Sequence, residues 1–156
     1  MSKIEARLKE LGITLPEAAA PIANYVPGVV AGNLLVISGQ LCFGPDGKLA
    51  AEHKGKLGAE VSQEAGVLAA RYCAINLLAQ AKATLGTLDR IVRCIRLGGF
   101  INSTPDFASL PVIMNGASDL MVEVLGDAGR HARSTIGMAQ LPLSAAVEVE
   151  AMFEVR

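Results

Sequence analysis

The chain has 156 residues, 51% hydrophobic and 19% charged, with 14 Lys+Arg against 15 Asp+Glu for a formal net charge of −1. A domain of this length buries about two-thirds of the surface its unfolded chain exposes, so a core is expected without disulfide or metal staples. Two Tyr, four Phe and no Trp make only 4% aromatic, which argues against the stacking platforms and basic grooves of nucleic-acid binders and leaves Ala, Val, Leu and Ile to build the interior.

Met1 to Glu10 carries Lys3, Glu5, Arg7, Lys9 and Glu10 and has no apolar region of the kind a signal peptide requires. The apolar run Leu34-Leu35-Val36-Ile37 stops at Ser38, far short of the roughly 20 residues of a membrane span. These features predict a cytoplasmic protein. Cys42, Cys73 and Cys94 are odd in number and contain no CxxC pair, and His53 and His131 are the only histidines. That set fits a reducing compartment and does not fit a Cys/His metal site.

Ile4, Leu8 and Leu11 among charged residues, closed by Gly12, predict a short amphipathic helix that reads as an appendage. Pro16 and Pro21 bracket an Ala-rich link. Tyr25-Val26, Val29-Val30 and Leu34 to Ile37 form apolar runs around Gly32-Asn33, a hairpin signal because both residues tolerate positive φ. Gly44-Pro45-Asp46-Gly47 is a second turn, and Glu52 to Gly58 reads as a polar loop containing His53. From Glu60, the spacing of Val61, Ala65, Leu68, Tyr72, Ile75 and Ala79 predicts a long helix buried along that stripe and stopped by Gly86.

Ile91 to Ile101 reads as a strand in which Arg93 and Arg96 fall on opposite parities. Thr104-Pro105-Asp106 resembles a helix start, and Ile113, Ala117, Leu120 and Val124 continue the stripe to Gly126, with Pro111 kinking or restarting it. Ser134 to Ala139 is a short strand. Val147, Val149, Ala151, Phe153 and Val155 alternate with Glu148, Glu150, Met152 and Glu154, the cleanest strand pattern in the chain. The order helix, β, β, α, β, α, β, β predicts an α+β fold: a mixed sheet with two main helices on one face and a short N-terminal helix beside them.

Few residues invite chemistry by spacing alone. Acidic residues on one strand face are most often solvated, and Glu154 reads that way. Glu148 and Glu150 lie in a strand expected to be central, where a carboxylate needs a partner. Arg133 sits at a loop-to-strand junction, where an arginine is most often a solvent-facing charge, although loops also concentrate binding residues. His131 has no second histidine or metal-spaced carboxylate nearby and reads as a loop residue. Ser38 lacks a GxSxG elbow, Cys73 reads as a small buried hydrophobe, and no GxGxxG or GxxxxGK[ST] occurs. What remains is an α+β domain with a possible Arg/Glu site.

An ordered set of motifs goes further. Tyr25-Val26, Gly32-Asn33, Ile37-Ser38-Gly39-Gln40, Asp106-Phe107-Ala108, Asn115, Ala132-Arg133-Ser134, Leu141-Pro142 and Val147-Glu148-Val149-Glu150-Ala151 together resemble the YjgF/RidA family of reactive-intermediate deaminases over Ala23 to Arg156. The resemblance implies a chorismate-mutase-like fold, a homotrimer with clefts at subunit interfaces, and no cofactor. It also implies hydrolysis of enamines and imines such as 2-aminoacrylate to 2-keto acids and ammonia. Carried over residue by residue, Arg133 grips the substrate carboxylate, a role its planar, permanently charged guanidinium suits. Glu148 positions or activates water, and Tyr25, Ser38 and Asn115 line the pocket.

The alternative is a trimeric module that binds a carboxylate metabolite without turnover. An endoribonuclease reading is disfavoured by the near-neutral charge. Three departures mark a divergent subgroup: Thr135 stands where archetypal members have a cysteine, a helical extension occupies residues 1–15 of the domain expected over 1–156, and the segment from Phe107 to Arg133 is several residues longer.

Overall fold

The computed structural model describes residues 2–20 and 22–156; Met1 and Pro21, the latter one bracket of the expected Ala-rich link, lie outside them. In chain order the elements are α1 (Lys3–Glu10), β1 (Gly28–Ala31), β2 (Leu34–Leu41), α2 (Gln63–Leu85), β3 (Ile91–Asn102), α3 (Leu110–Leu125), β4 (Ala132–Met138) and β5 (Val147–Val155), with short 3-10 turns between several of them. The five strands form one mixed sheet in the order β1-β2-β5-β3-β4. All neighbours are antiparallel except β3 and β4, which run parallel because α3 carries the chain across between them. The expected α+β architecture is present, with both main helices on one sheet face.

The alternation in β5 determines which face that is. Val147, Val149, Ala151, Phe153 and Val155 are buried toward the helices, while Glu148, Glu150, Met152 and Glu154 project from the uncovered face. The same face presents Val36, Phe100 and Ile136. The parity conflict between Arg93 and Arg96 is removed by two register shifts in β3, one between Ile91 and Arg93 and one between Cys94 and Arg96. Each extra residue flips the following side chains, so Arg93 stands opposite Glu154, Arg96 opposite Met152, and Ile91, Cys94 and Leu97 all stay buried.

Several local expectations are corrected. The predicted stripe of α2 is only part of its buried side: Val61 and Ala79 are buried and Ala65, Tyr72 and Ile75 pack partly buried against the core, but Leu68 is 41% exposed, and the fully buried side is centred on Gly66, Ala69, Ala70, Cys73, Ala74 and Leu77. Apolar residues surround this helix, so its periodicity does not select a face. The side rich in small residues wins because it can approach both the sheet and α3. Where α3 crosses, a Cβ on Gly116 would run into the Val67 carbonyl oxygen and lie 2.9 Å from its carbon.

Thr104-Pro105-Asp106 forms a turn, and α3 begins at Leu110 with Pro111 in its first turn, where the missing N–H costs no helical hydrogen bond. The N-terminal helix is docked, not appended. Leu8 is buried in the main core, Asp89 accepts from the backbone N–H groups of Lys3 and Ile4, and Arg7 donates to the Glu123 carbonyl at 2.9 Å. His53 is likewise buried, with its ring edge-on to Tyr72, instead of lying in a solvated loop. Among the described residues, no helix is long and apolar enough to cross a membrane.

Candidate functional site

Arg133 is the second residue of edge strand β4, in register with buried Leu97, and its side chain reaches across the helix-covered side of the sheet to α3. There Pro111, Asn115 and Ser118 follow one another at i, i+4 and i+7, along one side of the helix. Arg133 Nη1 donates to Asn115 Oδ1 at 2.9 Å and to Ser118 Oγ at 3.0 Å, and Nη2 donates to the Pro111 carbonyl at 3.2 Å. Of the five guanidinium N–H groups, those bonds use three. Nε–H and one Nη2–H have no acceptor among the described residues. These two lie on adjacent nitrogens of a planar fork, the arrangement that holds a carboxylate through two parallel bonds.

The network continues past Ser118. His131 Nε2 lies 2.9 Å from Ser118 Oγ, and His131 Nδ1 lies 2.6 Å from the Gly129 carbonyl. His131 thus lies in the loop just before β4, as its sequence context suggests, but it is half-buried and hydrogen-bonded at both nitrogens. Burial, followed by the opposing Gly129 bond and the neighbouring Arg133 charge, leaves its pKa below the usual histidine value. Ser118 and His131 were missed by sequence reasoning. The available signal was weak: His131, Arg133 and Thr135 recur at strand spacing, and Asn115 and Ser118 are polar residues one turn apart on a largely apolar helix. Thr135, also directed to this side, has a buried hydroxyl without a partner among the described residues.

Glu148 is elsewhere. It projects from the uncovered face of central strand β5, opposite Leu41 on β2 and Phe100 on β3. Burial, and then the like charge of Glu150, raise its carboxyl pKa above the ordinary glutamate value. Glu150 has its own partner in Arg96, 3.4 Å away. The Glu148 carboxylate lies against Gly39, where a Cβ would collide with Oε1 and stand 3.0 Å from Cδ. Gly39 and Ser38 occupy an irregularity of β2 between Ile37 and Gln40, so β2 does not stop at Ser38 but continues to Leu41. Ser38 Oγ donates to the Val26 carbonyl at 2.8 Å and its N–H to the Pro27 carbonyl at 2.9 Å. Those bonds pin the Tyr25-Val26-Pro27 segment to the edge of β2. Tyr25 precedes β1, not in a strand, and is 56% exposed.

The five residues singled out from the sequence thus fall into two groups. Arg133 and Asn115 meet on the helix side of the sheet, whereas Glu148 projects from the other face beside the Ser38-Gly39 irregularity, to which the Tyr25-Val26-Pro27 segment is pinned. One protomer does not bring Arg133 and Glu148 together.

The family model described as "YjgF/chorismate mutase-like, putative endoribonuclease" matches residues 5–155. Protein TCP17 of Trypanosoma cruzi is 46% identical over 153 residues, which cover 97% of this chain and 94% of that protein. Among solved structures, the Agrobacterium tumefaciens protein Atu1372, described as of unknown function, is 49% identical with a TM-score of 0.90, covering 98% of this chain and 92% of that one. A "putative endoribonuclease" from Shewanella oneidensis is 36% identical with a TM-score of 0.93, covering 99% and 100%. Escherichia coli TdcF, crystallised with bound serine, is 25% identical with a TM-score of 0.63, covering 90% and 94%. The gap between scores near 0.9 and 0.63 separates this chain, with the first two structures, from TdcF.

Proposed function

The chain belongs to the YjgF/RidA family, and from that premise we propose that it is a hydrolytic deaminase of reactive enamines and imines of the 2-aminoacrylate type. The observation that carries the reading is the Arg133 fork, oriented on one side by Asn115, Ser118 and Pro111, with Nε–H and one Nη2–H left without an acceptor among the described residues. A fixed cationic fork on a half-buried edge suits a small planar carboxylate better than a flexible phosphate backbone. The serine bound by TdcF carries a carboxylate of this kind.

In the proposed reaction, the enamine tautomerises to the imine, water adds to the imine carbon, and ammonia leaves from the tetrahedral adduct to give the 2-keto acid. The balance is imine plus water to keto acid plus ammonia, with no cofactor involved. Glu148 takes the proton from the attacking water; its raised pKa brings it closer to the range in which a carboxylate is an effective base. Tyr25, Ser38 and Asn115 line the pocket, Asn115 through its bond to Arg133.

Because Arg133 and Glu148 lie on opposite sides of one sheet, the site requires a second copy of the chain. We assign it to the subunit interface of a homotrimer, in which Arg133 of one protomer faces Glu148 of the next. The uncovered sheet face supports this assignment. It presents Val36, Ile136, Phe100 and Met152 around half-buried Glu148 and Glu150, and oligomer interfaces resemble a core cut in half.

The test generates 2-aminoacrylate in situ with a serine dehydratase and follows keto-acid release. Parent protein should accelerate release, and Arg133→Ala should lose about 10²-fold, as expected for removing the group that positions the substrate. Saturable keto-acid binding with no acceleration would replace catalysis with a binding role, and an Arg133→Ala variant as active as the parent would overturn the site. Light scattering that gives a monomer would overturn the interface assignment.

A further inference from the structure

We infer that His131, acting through Ser118, is a positioning residue for the Arg133 fork. This deepens the carboxylate-binding reading of Arg133 and rests on it. The argument is one of hydrogen-bond direction. The Gly129 carbonyl can only accept, so the proton of a neutral His131 sits on Nδ1. Nε2 is then an acceptor, and the contact at 2.9 Å must be Ser118 O–H donating to it. With its only proton committed to His131, the Ser118 oxygen presents lone pairs to Arg133 Nη1, 3.0 Å away. The chain of donors runs one way: Arg133 to Ser118, Ser118 to His131, His131 to Gly129.

Each link is held by the fold. Ser118 and Asn115 are one turn apart on α3. Gly129 is buried where a Cβ would strike the Met121 carbonyl, so the turn that presents its own carbonyl to His131 is pressed against α3. Residues 131 and 133 sit on the same side at strand spacing, which brings imidazole and guanidinium to the same serine. The other charges of this corner are Asp119, exposed on α3, and the Arg130–Asp127 pair, exposed in the turn that follows it.

The consequence is that Nη1 is fully used by Asn115 and Ser118, and the guanidinium plane is locked with its Nε and Nη2 edge outward. Without His131, the Ser118 hydroxyl is free to rotate and can point its proton at Arg133, where it repels instead of accepting. The fork then loses one of its two Nη1 partners and turns more freely.

The test compares His131→Phe, Ser118→Ala and His131→Gln with the parent. Gln restores an acceptor near the place of Nε2, whereas Phe fills the space without one. Two readouts are used: the side-chain N–H resonances of Arg133 by NMR, which need no ligand, and the dissociation constant for 2-oxobutanoate. His131→Phe and Ser118→Ala should broaden the Arg133 signals and weaken 2-oxobutanoate about tenfold, with His131→Gln within about threefold of the parent. In 2-aminoacrylate turnover, His131→Phe and Ser118→Ala should raise KM more than they lower kcat and His131→Gln should restore KM, a split that a merely structural role would not produce.

Unchanged Arg133 signals in His131→Phe would overturn the inference, as would equal weakening by Phe and Gln. A parent whose Arg133 is ordered through Ser118 but which binds no 2-oxobutanoate would overturn the carboxylate-binding reading while leaving the positioning chain supported.

Discussion

Gly39→Ala is the sharpest probe of Glu148, because Gly39 supplies the floor on which that carboxylate lies. A Cβ there would overlap Oε1 and stand 3.0 Å from Cδ and 3.2 Å from Cγ of Glu148. Ordinary carbon contacts begin at about 3.5 Å, so the carboxylate has to move by about 1 Å. It can do so at modest cost, because the obstructing atoms are the end of a flexible, half-exposed side chain. A displaced rotamer costs about 0.5–1.5 kcal/mol. At about 2–4 °C per kcal/mol for a chain of this size, the loss in Tm stays below about 6 °C.

Catalysis is affected more severely. A misplacement of about 1 Å costs about 10²-fold in rate when the group must meet its reactant in a fixed geometry. The assay is keto-acid release from in situ 2-aminoacrylate, with calorimetry for Tm and a crystal structure of the variant to read the Glu148 rotamer. A crystal structure with the carboxylate displaced, together with activity within threefold of the parent, would refute the assignment of the base to Glu148.

Three further variants, one beside Glu148 and two away from it, have defined outcomes. Glu148 needs to be ionised to act, and its pKa is raised first by burial and then by Glu150. Activity should therefore rise with pH through a limb above the ordinary glutamate value. Glu150→Gln should move that limb to lower pH without abolishing activity, and a pH–rate profile in which the limb stays put would count against Glu148. At the helix crossing, Gly116→Ala forces a methyl group against the backbone of Val67. The clash should cost about 3 kcal/mol and about 6–12 °C in Tm, and activity should fall because Asn115 and Ser118 move with α3. Gly32→Ala, at φ +61° with nothing within 4 Å of its Cβ, carries only the left-handed backbone cost of about 1–2 kcal/mol. Equal melting temperatures for the two variants would show that α3 yields freely.

Much of the fold was legible along the chain because its signals are local. The two-residue alternation from Val147 to Val155 is enough to mark β5 and the face it buries. Gly32-Asn33, Gly86 and Gly126 mark turns and helix ends, since they stand where the backbone turns left-handed or a helix stops. The stripe Ile113, Ala117, Leu120 and Val124 identifies the inner side of α3, because that helix carries polar residues on its other sides. For α2 the same spacing found only part of the buried side, with Val61 and Ala79 inside and Leu68 exposed. With apolar residues all round, only the fit of small side chains against two neighbours at once decides.

The candidate site divides in the same way. Residue type and motif order determined that Arg133 and Glu148 were the chemical candidates, because a permanent planar cation and a strand carboxylate are recognisable from their own identities. Only the tertiary structure decided what each one faces. Crossing from β3 to β4 through α3 put Arg133 beside Asn115, Ser118 and His131, while the pleat of β5 sent Glu148 to the opposite side of the sheet. Those relations join residues distant in the chain, and strand register and helix packing set them through contacts that no local period encodes.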